Sequence, residues 1–135
     1  MKLSFIKPVY AHCDVPCGIY ETDTMKHAAD TCLRMVEKIE GLGELDDDNT
    51  EQMANFVRMV QTKEHHAQKV KDELSLLWTD YFKPEHLKKY PKLHEKIWLT
   101  AKQASKVKQT VNKQECKVLI EQVAEIAAIF ADSKK

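Results

Sequence analysis

The chemistry in this chain is concentrated in one short run, His12-Cys13-Asp14-Val15-Pro16-Cys17-Gly18-Ile19-Tyr20, which holds an imidazole, two thiols, a proline and a glycine. Cys13 and Cys17 have three residues between them. That gap is longer than the two-residue gap of a thioredoxin-type redox pair, and no second close cysteine pair follows to complete a zinc ribbon. Pro16 fixes its own φ and biases Val15 away from the helical region, while Gly18 permits a left-handed residue. The run is therefore predicted to curl into a small hook that brings Cys17 near Cys13.

Cutting the chain between Ala11 and His12 would give the hook a further donor, an α-amine with an ordinary pKa of roughly 8. The amine and the Cys13 amide nitrogen chelate together, and the same amide chelates with the Cys13 thiolate. With the Cys17 thiolate this makes two nitrogens and two sulfurs in a plane. Such a set suits Ni(II) or Cu(II), whereas a tetrahedron of four ligands would point to zinc. The His12 imidazole is then expected above the plane as an axial ligand. Thiolate and deprotonated amide donors both favour a higher oxidation state, so the site suits Ni(II)/Ni(III) cycling. Uncut, the chain lacks the amine.

The run HCDVPCGIY resembles the metal hook of the nickel superoxide dismutase family. A second stretch, Leu77-Trp78-Thr79-Asp80-Tyr81-Phe82-Lys83-Pro84-Glu85-His86-Leu87 followed by Tyr90-Pro91 and Leu93-His94, resembles the other family hallmark, about sixty residues further on. The resemblance implies a homohexamer of four-helix bundles that converts superoxide to oxygen and hydrogen peroxide after a maturation protease exposes His12. It implies nickel held by His12, Cys13 and Cys17. It also implies that Tyr20 and Tyr81 flank the open face of the metal, where their phenols hydrogen-bond a small oxygen species or water. Lys83 would attract the incoming anion, and Asp14 would hold the hook by polar contacts. In one branch of the family a glutamate and a neighbouring subunit's arginine orient the axial imidazole. The matching positions here are Ala28 and His66, so control of the imidazole is expected to differ, with His66 replacing the arginine across a subunit contact and Asp30 standing near the missing carboxylate.

The remainder of the chain reads as scaffold. With 135 residues, 43% hydrophobic and 31% charged, it is long enough for one soluble domain with a real core. Three glycines and four prolines favour a few long helices over many strands. The formal net charge is zero, so no global field attracts nucleic acid or an acidic membrane. No stretch approaches the roughly 20 apolar residues of a membrane span. Residues 1–11 have a basic start, but Lys7 and Pro8 break the apolar run well short of an export signal. They are expected to be a removable pro-segment of a cytoplasmic protein. Their loss takes Lys2 and Lys7, leaving 19 basic against 21 acidic side chains.

Helical periodicity predicts an all-α antiparallel four-helix bundle over residues 21–135, with the hook over 12–20. The first helix starts at Thr22 or Thr24 and ends at Gly41, with Met25, Ala28, Ala29, Cys32, Val36 and Ile39 on one face. The second runs from a cap at Asp48 or Asn49 to about Tyr81, roughly 48 Å. Its stripe is interrupted at Lys63-Glu64-His65-His66, which predicts a bend or a subunit contact. Pro84 ends it. A third helix follows Pro91, and a fourth starts from an Asn112–Glu115 capping box and carries Cys116, Leu119, Val123, Ile126 and Phe130 inward. Cys32 and Cys116 read as core thiols rather than ligands. Two other functions use the same residues: a nickel or copper binding or storage bundle without turnover, and a structural bundle with a Cys13–Cys17 disulfide, which a reducing compartment disfavours. Nickel content separates the latter from the others, and turnover separates the enzyme from the store.

Overall fold

The computed structural model describes residues 18–135. Four long helices, α1 (Asp23–Glu40), α2 (Thr50–Leu76), α4 (Leu93–Gln109) and α5 (Lys113–Ser133), form the bundle, and a short α3 (Pro84–Lys89) crosses one end. Helix α1 packs on α2 and α5, and α4 packs on the same two, so α1 and α4 are diagonal. Paired contacts show the antiparallel order: Glu40 at the end of α1 meets Lys113 at the start of α5 at 2.6 Å, and Lys96 early in α4 meets Glu125 late in α5. Most of the expected apolar faces make the core, with Met25, Cys32, Val36, Val70, Leu74, Leu93, Val107, Leu119 and Ile126 all buried. The α2 stripe fails at both ends: Met53, Phe56 and Val60 are only half-buried and Val57 and Trp78 are exposed, and Ile39 of α1 is likewise half-buried.

The helix starts follow from free amide groups seeking acceptors. Asn49 caps α2 by accepting from the Gln52 amide at 3.0 Å, and Asn112 caps α5 by accepting from Gln114 and Glu115 at 2.8 and 3.3 Å. At α1 the predicted threonines do not cap. Glu21 takes that place, its carboxylate accepting from the Asp23 and Thr24 amides. Burial works to raise its pKa, but the Thr24 and Asp23 hydrogen bonds prevail and lower it. The Asn112 box is likewise half-formed: Glu115 turns to α4, accepting from Gln103 at 2.8 Å and pairing with Lys106 at 2.7 Å.

The polar interruption in α2 is neither bend nor surface at its first residue. Lys63 is 1% exposed, and its ammonium donates to the carbonyls of Val107, Lys108 and Thr110 at 2.6, 2.8 and 2.7 Å. These lie at the end of α4, where carbonyls lack helical partners and the helix dipole is negative. A cation from a neighbouring helix thus closes α4. The other departure is at the far end of α2. The chain does not stay α-helical to Tyr81 but widens into a π-helical turn over Leu77–Tyr81, closed by the Phe82 amide donating to Leu77 at 2.9 Å. Pro84 then opens α3, its fixed φ suiting a first helical position. Among the described residues no helix is long and apolar enough to cross a membrane.

Candidate functional site

His12, Cys13, Asp14 and Cys17 lie outside the described residues. Gly18 has a φ of 86°, the left-handed conformation that its lack of a side chain permits. Two residues later Tyr20 enters the core, 7% exposed, with its ring 5.5 Å from that of Tyr81. The two tyrosines, 61 residues apart in sequence, are therefore neighbours.

The π-turn places Tyr81 at the centre of an aromatic cluster. Its ring lies 4.6 Å from Phe130, 5.1 Å from Phe82 and 5.6 Å from His86, the last nearly parallel. Its phenol oxygen is 2.8 Å from Ser133 Oγ. The end of α5 also holds Tyr20, because Lys134 Nζ sits 4.0 Å above the Phe130 ring and reaches the Tyr20 carbonyl at 3.4 Å. Alongside, the Tyr90 hydroxyl donates to Asp132 and Lys89 pairs with the same carboxylate at 2.9 Å. Tyr90 first and Lys89 second hold the Asp132 carboxyl down at about 2. Lys83 is exposed at the start of α3, its amide donating to His86 Nδ1 at 3.0 Å. Sequence reasoning missed Ser133 and Lys134, which follow no apolar period, and took Phe130 only as core.

Ala28 and His66 line one pocket of about 180 Å³ with Thr24, His27, Thr31 and Lys69. One chain brings these two positions together. His66 Nδ1 lies 2.8 Å from the Thr62 carbonyl and must donate to it, which leaves Nε2 of the neutral ring as an acceptor. Asp30 is not beside this pocket; it lines a separate groove with Lys26 and Ile120, between α1 and α5.

Cys32 and Cys116 are closed to metal chemistry. Both are buried, and the Cys32 thiol donates to the Lys63 carbonyl at 3.4 Å. Burial pushes their thiols up to about 12 and about 11, so neither supplies a thiolate readily. No cluster of three or more His, Cys, Asp or Glu side chains suited to a metal occurs among the described residues. Of the four cysteines this leaves Cys13 and Cys17 as the candidate thiolate donors, and a soft sulfur pair would fit nickel.

The model of the nickel-containing superoxide dismutase family matches residues 7–134. The chain belongs to that family. It is 35% identical over 127 residues to the nickel superoxide dismutase of Streptomyces coelicolor and 33% identical over 128 residues to that of Streptomyces seoulensis, each alignment covering 94% of this chain and 91% of the relative. A native nickel superoxide dismutase structure superposes with a TM-score of 0.79 at 34% identity, covering 92% of this chain and all of the other. The chain is thus a nickel-dependent oxidoreductase on the four-helix-bundle fold, converting superoxide to oxygen and hydrogen peroxide by Ni(II)/Ni(III) cycling. The readings as a non-catalytic nickel or copper binding or storage bundle and as a purely structural bundle give way to it.

Proposed function

We propose that the nickel of this dismutase is held at the N-terminal hook once the chain is cut before His12. The donors would be the new α-amine, the Cys13 amide, the Cys13 and Cys17 thiolates and the His12 imidazole. Nickel bound there supplies reversible one-electron chemistry that small organic side chains lack. Residues 1–11 are the pro-segment, 12–20 the hook and 21–135 the bundle that carries it.

The observation behind this reading is the packing of Tyr20 on Tyr81. Tyr20 follows Cys17 by three residues, a chain reach of at most about 11 Å. The second sequence hallmark is thus folded against the point where the hook joins the bundle. Phenols placed there can hydrogen-bond a dioxygen species and limit what approaches. Lys83, exposed two residues beyond Tyr81, adds positive potential for an anionic substrate in a chain with no net charge. Asp14 anchors the hook, and His66 takes part in orienting the His12 imidazole, with Nε2 available as an acceptor. The protein acts as a cytoplasmic homohexamer after a maturation protease has cut it. An apolar groove of about 220 Å³ lined by Trp78, Ile97 and Trp98, with Trp78 46% and Trp98 59% exposed, supports burial against other subunits.

The test is superoxide dismutation by nickel-loaded protein beginning at His12, beside the uncut chain under identical loading. Activity only in the trimmed form is expected. Equal activity in both would show the free amine to be unnecessary, and inactivity in both with nickel bound and helices intact would restore the metal-store reading.

A further inference from the structure

Ser133 decides which way the Tyr81 hydroxyl points. Two contacts meet at Ser133 Oγ: the Phe130 carbonyl at 2.7 Å and the Tyr81 phenol oxygen at 2.8 Å. A serine hydroxyl carries one hydrogen, and a carbonyl only accepts. The serine hydrogen must therefore lie in the contact to Phe130, and the hydrogen shared with Tyr81 must be the phenol's. Tyr81 is then a donor to Ser133, and its oxygen is left with lone pairs alone for anything on its other side. Ring contacts with Phe130 and with the parallel His86 hold the phenol in that direction.

We propose that Ser133 is a positioning residue for the dismutase: it keeps the Tyr81 proton turned into the bundle, so that Tyr81 serves as a hydrogen-bond acceptor and not as a proton donor toward superoxide. This rests on the reading that Tyr81 flanks the hook. An acceptor at that place favours a protonated species, water or the hydrogen peroxide product, over a bare anion. Small anions are thereby disfavoured except where a cation draws them in, and the protons consumed in forming peroxide come from a group other than Tyr81.

The experiment labels the four tyrosines with carbon-13 at Cζ, in the full-length chain before and after nickel loading, and assigns Tyr81 by Tyr81→Phe. In Ser133→Ala the Tyr81 signal should move and its hydroxyl proton should exchange faster with water; Ser133→Thr, which keeps the hydroxyl, should restore both. In the nickel-loaded trimmed enzyme, Ser133→Ala should bind azide about fivefold more tightly, the scale of one ordinary hydrogen bond, because the freed phenol can donate to it. An unmoved Tyr81 signal in Ser133→Ala, with melting behaviour unchanged, would overturn the donor assignment. A moved signal with unchanged azide affinity would overturn the positioning role. Unchanged turnover in Tyr81→Phe would instead sink the placement of Tyr81 at the site, a failure visible apart from the other two.

Discussion

The two ends of the bundle handle polar side chains in opposite ways. Around the end of α4, Lys63 is buried with all three of its hydrogen bonds given to backbone carbonyls, and the nearby Cys32 thiol donates to another. At the other end, Tyr81, Tyr90 and His86 bury ring surface while their polar tips are held by Ser133, Asp132 and the Lys83 amide. At the first end the buried ammonium and thiol are both spent on backbone carbonyls. The second has groups whose packing and polarity are separate parts of one side chain, which is how an aromatic residue can stabilise a fold and still meet a substrate. Substitutions at the first end should therefore change stability and leave chemistry alone, whereas substitutions at the second should reach the chemistry as well.

The sharpest contrast is among the thiols. With Cys32 and Cys116 pushed up to about 12 and about 11, alkylation of the folded, metal-free protein near pH 8 should favour Cys13 and Cys17 by on the order of a hundred- to a thousandfold. Peptide mapping of the modified protein checks this, and early labelling of Cys32 would break the distinction. Next, Lys63→Met should cost roughly 3 kcal/mol of stability by leaving the α4 carbonyls without their cation. Denaturant melts measure the loss, and activity per bound nickel should be unchanged. His66→Ala should slow turnover by up to about tenfold with little change in melting, and unaltered kinetics would remove His66 from the site. The smallest effect concerns Asp132. Its folded pKa of about 2 lies below the ordinary 3.8, so its contribution is present above about 4 and disappears as pH falls through about 2. Acid titration followed at the Tyr90 ring should show α3 loosening in that window, and Asp132→Asn should remove the transition.

Much of the bundle was legible because its signals are local. The inward faces of α1 and α5, the caps at Asn49 and Asn112 and the core placement of Cys32 and Cys116 all depend on residues within a few positions of one another. Lys63 was misread as part of a polar break because its partners lie 44 to 47 residues away, at the end of a different helix. The π-turn escaped for a related reason: an α-helical and a π-helical turn over Leu77–Tyr81 present nearly the same pattern of apolar residues, and the choice depends on what the turn packs against.

The amino-acid order alone picks out which atoms could bind the metal, since the candidate donors stand within six consecutive residues and their chemistry does not depend on distant partners. It also set the four long helices, whose period is written along each segment, though not the α1 cap, the π-turn or α3. Packing decided the rest. Only the assembled bundle sets Tyr20 against Tyr81 and turns the Tyr81 proton toward a serine 52 residues later, because those contacts exist only after separate helices have met.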